Sequence, residues 1–206
     1  MMKINKILNI LSASYPDARC MLDYEKDYEL VIAVMLSSQT TDASVNKVTP
    51  ILFSRFDNLD KLKNASYQEV FEIVKKLGLA KKKAANIINI ARIISEDFNY
   101  KVPNDIAKLE KLPGVGRKTI NVILSELFNE ETLAVDTHVS RLACRLGFSN
   151  EDDSVLKIEE KLLEIVPKGK RKMTHHLFIR HGREVCKSYN PQCNVCEIKD
   201  YCLFKK

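Results

Sequence analysis

Leu112-Pro113-Gly114-Val115-Gly116-Arg117-Lys118, followed by Val135-Asp136-Thr137-His138, carries the strongest structural signal in the chain. Pro113 steers the residue before it out of the helical region and so ends a helix predicted over 105-111. Gly114 and Gly116 permit a tight hairpin with unusual torsions, and a second helix is predicted over 117-128. Because neither glycine has a side chain, a ligand can approach the backbone N–H groups at the positive end of that second helix, where a phosphate fits without any base being read. The plainer reading is an ordinary turn between packed helices. Lys118 lies in the first turn, where a cation is poorly placed against the helix dipole, which suggests another use for the amine. A lysine acts as a nucleophile only when neutral; partial burial, the helix start and nearby Arg117 favour that form, and an ionised Asp136 opposes it. Asp136 is placed to cap the helix that follows it. A carboxylate there stays ionised and can also face the positive charge that develops as a glycosidic bond breaks.

Helical periodicity repeats almost throughout the 206 residues, and with only six glycines the chain reads as all-α with short connections. Further helices are predicted over 3-13, 28-37, 42-55, 67-76, 82-97, 137-146, 153-165 and 172-184. Ser66-Tyr67-Gln68-Glu69 has capping-box spacing, and Lys76-Leu77-Gly78 offers a basic last turn with a left-handed terminator. Asp42 is placed to cap the helix that Pro50 should kink or shorten. Asp153-Ser154 opens a helix and Pro167-Lys168-Gly169 closes it. No long linker or repeat is present, so any division into lobes must be compact.

The chain is 45% hydrophobic, enough to bury a core, and carries 33 Lys plus Arg against 27 Asp plus Glu, a formal charge of +6. That balance favours polyanionic partners without requiring them. Ile4, Ile7, Leu8 and Leu11 follow amphipathic helical spacing rather than the apolar run of a signal peptide, and no segment approaches a membrane span. A cytoplasmic location is expected, nucleoid-associated in a bacterium, with the protein acting as a monomer.

Of six cysteines, Cys20 and Cys144 stand alone in apolar patterns and read as small buried hydrophobes. Cys186, Cys193, Cys196 and Cys202 form a Cys-x6-Cys-x2-Cys-x5-Cys tail. In a reducing compartment such crowding points to metal rather than disulfides. Zinc and a four-iron cluster both suit four thiolates; only Cys193 and Cys196 have tight pair spacing, and the wider arcs suit a cubane better.

Taken together, the cysteine tail behind Leu-Pro-Gly-Val-Gly-Arg-Lys and Val-Asp-Thr-His resembles the endonuclease III family of helix-hairpin-helix DNA glycosylases. The likeness covers nearly the whole chain, through Leu36-Ser37-Ser38-Gln39-Thr40-Thr41-Asp42, Gly78-Leu79 and His181-Gly182-Arg183. It implies two helical lobes flanking a cleft: a six-helix domain at 20-130 with the hairpin motif at about 105-128, and a cluster domain made of 1-19 plus 131-206. It further implies a bifunctional glycosylase and abasic-site lyase of base excision repair, acting on oxidised pyrimidines in double-stranded DNA. Lys118 would be the nucleophile and Asp136 its partner. Gln39 would fill the space of the flipped nucleotide and Leu79 would wedge the opposite strand. Gly114, Val115, Gly116 and Arg117, with Thr137 and His138, would meet the DNA, and Cys186, Cys193, Cys196 and Cys202 would ligate a 4Fe-4S cluster.

There are departures. The arc Lys187-Ser188-Tyr189-Asn190-Pro191-Gln192 has one basic residue where a loop touching phosphate would carry more. Ser38 and Thr40 are small polar variants beside Gln39. Lys81-Lys82-Lys83 and the run Lys168, Lys170, Arg171, Lys172 read as phosphate tracks or solvated helix faces. His138, His175, His176 and His181 lack zinc spacing and read mostly as packing or hydrogen-bonding groups. Asp152-Asp153 and Glu159-Glu160 read as a cap and a solvent face. A monofunctional mismatch glycosylase and a non-catalytic DNA-binding module are the alternatives; Lys118 and the lack of a further domain after Cys202 argue against the first.

Overall fold

The computed structural model describes residues 2 to 204, and among these no β-strand forms. The helices are α1 (Met2–Ser14), α2 (Asp27–Leu36), α3 (Asp42–Val45), α4 (Thr49–Arg55), α5 (Leu59–Lys63), α6 (Tyr67–Val74), α7 (Ala80–Glu96), α8 (Ile106–Leu109), α9 (Arg117–Phe128), α10 (Thr137–Arg145), α11 (Val155–Ile165) and α12 (Arg171–Glu184). Two short 3-10 turns, Cys193–Val195 and Lys199–Tyr201, follow. The chain divides into two compact units, a central one of Met21–Phe128 and a terminal one of Met1–Cys20 with Asn129–Lys206.

In the central unit α2 is buried on every side from Tyr28 to Leu36, as befits a helix with no polar stripe. It packs against α7 and α9, while α5 and α6 pack on α7. Helices α3 and α8 are single turns of four residues. The helix predicted over 42-55 breaks in two because Pro50 cannot donate to the turn before it; it sits instead in the first turn of α4. Thr41, not Asp42, caps α3, its hydroxyl accepting from the Ser44 N–H at 3.2 Å. Asn58 caps α5, a helix that the periodicity did not reveal. Ser66 caps α6 as predicted, accepting from the Glu69 N–H at 3.2 Å. The terminator after α6 is different: Gly78 does not take the left-handed conformation, and Leu79 does, at φ 60°.

The terminal unit buries Ile4, Ile7, Leu8 and Leu11 of α1, the predicted stripe, against Val139, Leu142, Leu162, Leu177 and Phe178. Helix α10 packs on α11 and α12, and α1 on α12. Ser154 caps α11, accepting from the Lys157 N–H at 3.2 Å. Glu159, expected on a solvent face, is buried at 5% exposure. Cys20 and Cys144 are only half-buried; the Cys144 thiol donates to the Asn150 carbonyl at 3.3 Å and so behaves as a polar group rather than a filler. His175 and His176 are buried with their rings edge to face, and the His175 imidazole lies 2.8 Å from the Ala134 carbonyl.

Candidate active site and nucleic-acid interface

The hairpin forms where the glycines require it, and the two glycines do different work. Asp105 caps α8 by accepting from the Lys108 N–H at 2.8 Å. After α8 ends, the Val115 N–H donates to the Leu112 carbonyl at 3.1 Å and closes the turn. Gly114 is left-handed, at φ +80°, and a Cβ there would lie 2.5 Å from Asn86 Nδ2 and 3.2 Å from Met35 Cγ. It therefore faces inward onto α2 and α7, with Val115 buried beside it. Gly116 has ordinary torsions, and a Cβ there would meet nothing within 4 Å, so its backbone is open to an approaching group. Lys118 is the second residue of α9, half-buried, on a helix whose other face is sunk through Ile120, Ile123 and Leu124.

Gln39 and Leu79 come together in the same unit. Both are exposed, and both are non-glycine residues with left-handed backbones, at φ 53° and 60°. Such torsions cost about 1–2 kcal/mol each and persist only where the surroundings over-determine them. Gly78 is the contact point, since a Cβ there would sit 3.3 Å from the Gln39 carbonyl.

In the terminal unit Asp136 caps α10, its Oδ1 accepting from both the His138 and Val139 N–H groups at 2.9 Å. Both bonds use one oxygen, and the cap therefore leaves Oδ2 for another role. Thr137 is exposed and His138 half-buried. Burial holds the His138 imidazole below its ordinary value against the opposing pull of Asp136. Gly182 lets α12 approach α10 closely, a Cβ there falling 3.0 Å from the His138 Cβ.

All four tail cysteines line one cavity, together with Arg145, Pro191, Lys199 and Phe204. Each is a free, half-buried thiol. Arg145 donates to Cys186 Sγ at 3.2 Å and to the Lys187 carbonyl at 2.9 Å, with its guanidinium 4.2 Å over the Phe204 ring. His181 Nε2 lies 3.5 Å from Cys196 Sγ, and its Nδ1 is 3.2 Å from the Tyr15 hydroxyl. Burial, reinforced by the other three thiols, pushes the Cys196 thiol up. Among the described residues no three His, Cys, Asp or Glu groups gather tightly enough for a single ion.

Residues 32–168, more than half the chain, match the model of the HhH-GPD superfamily base excision DNA repair protein family. Endonuclease III of Rickettsia felis is 42% identical over 201 residues, spanning 98% of this chain and 94% of its own length. The chain belongs to the endonuclease III family. Family members in Bacillus subtilis and Escherichia coli are each 41% identical, covering 97% and 98% of this chain and 91% and 95% of their own. A solved endonuclease III trapped as a covalent intermediate with DNA superposes with a TM-score of 0.93 at 42% identity, over 98% of this chain and 95% of that one. A non-covalent endonuclease III–DNA complex gives the same score and identity, over 98% and 94%. As a member of the family the protein is a base excision repair enzyme, a DNA glycosylase and abasic-site lyase.

Several residues of this endonuclease III family member escaped the motif reading. Arg141 joins three segments by pairing with His138 Nδ1 at 3.0 Å and donating to the Gly182 carbonyl at 2.9 Å and the Cys186 carbonyl at 2.9 Å. It and Arg145 lie four residues apart on α10, so a helical-face reading of the two arginines toward the tail could have found them. Asn86, buried beneath Gly114, is a polar residue on the apolar face of α7, the one signal it gave. The triple lysine, expected as one basic face, is divided: Lys81 and Lys82 are exposed, and Lys83 is buried at 3% exposure.

Proposed function

We propose that the protein removes oxidised pyrimidines from double-stranded DNA and then cuts the strand 3′ to the abasic site by β-elimination through an imine on Lys118, acting as a monomer. The observation that carries this reading is a lysine in the first turn of α9 directly behind Gly116, whose open backbone can hold the phosphate that brings the sugar to the amine. The damaged nucleotide leaves the stack at a cost of a few kcal/mol, less than for a sound pair. Gln39 fills the gap and Leu79 wedges the opposite strand. Gly114, Val115, Gly116 and Arg117, with Thr137 and His138, hold the strand. The neutral Lys118 amine attacks C1′ and the C1′–N bond breaks, its electron pair leaving on the base, which takes up the proton the amine gives up. The C1′–O4′ bond then opens as O4′ is protonated, giving the imine. Asp136 stabilises the positive charge on the sugar while remaining the cap of α10. The C2′ proton, acidified by the imine, is lost, the C3′–O bond breaks, and water then frees the lysine.

The two lobes of this reading are 20-130, and 1-19 with 131-206. Cys186, Cys193, Cys196 and Cys202 would hold a 4Fe-4S cluster, which would cross-link the tail. Four thiols line one cavity, and the six- and five-residue arcs between them suit a cubane better than a single zinc ion. The purified protein should be yellow-brown with absorbance near 400 nm, and a colourless zinc-loaded protein would refute the cluster.

Borohydride reduction in the presence of duplex DNA carrying an oxidised pyrimidine tests the chemistry. A covalent adduct that disappears in Lys118→Gln is expected. Base release without an adduct or strand cleavage would replace the reading with a monofunctional glycosylase.

A further inference from the structure

Lys83, the last of the basic run 81-83, stands outside the proposed chemistry, yet its placement is costly. It is 3% exposed at the start of α7, beside Ala84 and Ile87, both fully buried. Among the described residues its ammonium makes one hydrogen bond, to Thr40 Oγ1 at 2.6 Å, and no ion pair. A buried lysine whose ammonium has a single neutral partner is less favourable than a methionine of similar volume. Burial accordingly pulls the amine below the ordinary lysine value. A residue kept there against stability points to a use.

The bond spans two turns with related strain. Thr40 follows Gln39, and its N–H closes the turn on the Ser37 carbonyl at 3.1 Å. The Lys83 N–H donates to the Leu79 carbonyl at 3.0 Å, the first bond of α7, so its side chain leaves from the turn that Leu79 opens. Gly78 lets the two turns touch. One lysine therefore grips the Leu79 turn through its backbone and the Gln39 turn through its ammonium. We propose that Lys83 is a positioning residue that ties these turns into one rigid wedge, so that Gln39 and Leu79 enter duplex DNA together. The inference rests on the role given above to Gln39 and Leu79. The tether fixes both left-handed backbones before DNA arrives, so the ordering of the loops is not charged against the opening of the base pair.

Lys83→Met and Thr40→Val each remove the tether, and Thr40→Ser keeps it. Amide hydrogen exchange in the free protein should quicken about ten-fold over residues 37-41 and 77-80 together in the first two variants, as expected for a lost charge-assisted hydrogen bond. It should stay at the wild-type rate in Thr40→Ser. Single-turnover base release from a duplex with an oxidised pyrimidine should fall about ten-fold in the same two variants. Imine trapping on a single-stranded abasic oligonucleotide, which has no opposite strand to wedge, should not change. The double variant should be no slower than either single one, because both remove the same bond. The Tm of Lys83→Met should be unchanged or raised. Unchanged exchange at 77-80, additive losses, or a lowered Tm with duplex and single-strand activities falling together would overturn the proposal. If wild-type protein released no oxidised pyrimidine, the proposed function would fail, and the exchange measurements would still decide whether the tether exists.

Discussion

Gly114 and Gly116 sit two residues apart and are expected to respond to alanine in opposite ways. Gly114→Ala places a Cβ against Asn86 and Met35 in a left-handed backbone, so a loss of about 2–4 kcal/mol in denaturant unfolding is expected from torsion and overpacking. Gly116→Ala should change stability by less than about 0.5 kcal/mol, because its methyl points into open space. It should instead weaken DNA binding, measured by fluorescence anisotropy. Asp136 allows a similar separation of roles. Asparagine is as good a cap as aspartate. Asp136→Asn should therefore leave Tm nearly unchanged and slow base release strongly in single-turnover assays, whereas Asp136→Ala should lose about 1 kcal/mol of stability as well. Lys83 adds a pH dependence. Its folded value lies below the unfolded one, so the unfolded chain binds the extra proton between them, and that proton favours unfolding. Wild-type stability relative to Lys83→Met should be lowest below the folded value and should rise as pH climbs toward the ordinary lysine value near 10.5, in urea titrations from pH 7 upward.

Elements were legible where one force sets them. Helix α9 begins and ends where predicted, since Gly116 and the apolar stripe agree, and α1 buries the four residues that its spacing selects. Ser66 and Ser154 cap as read, because a hydroxyl before an amphipathic run has one obvious partner. Legibility fails where tertiary packing overrides local preference. Leu79 takes the conformation that Gly78 was expected to take, because Gly78 is needed for the close approach to the Gln39 turn. Lys83 vanishes into what looked like a solvated basic run, since sequence does not show which way the first turn of α7 faces. Arg141 is the clearest such loss, because its three partners come from α10, α12 and the first cysteine. Arg141→Ala should cost about 2 kcal/mol in thermal unfolding, with hydrogen exchange quickening first around residues 181-186, since it leaves two half-buried carbonyls unpaired.

For the molecule as a whole, +6 spread over 33 basic and 27 acidic residues foretold little by itself. The order of three motifs along the chain was what made the family legible, and it does so because the hairpin, the capped carboxylate and the thiol cavity are each local structures. The central unit is one continuous stretch, while the terminal unit is assembled from both ends of the chain, with α1 packed on α12. During synthesis the hairpin and its lysine can thus be folded while the cysteines are still untranslated. Helix α1, made well before α12, has to wait with its apolar stripe uncovered until α12 emerges. The thiol cavity is completed after the hairpin, so the cluster proposed above would be assembled on a chain whose hairpin already exists.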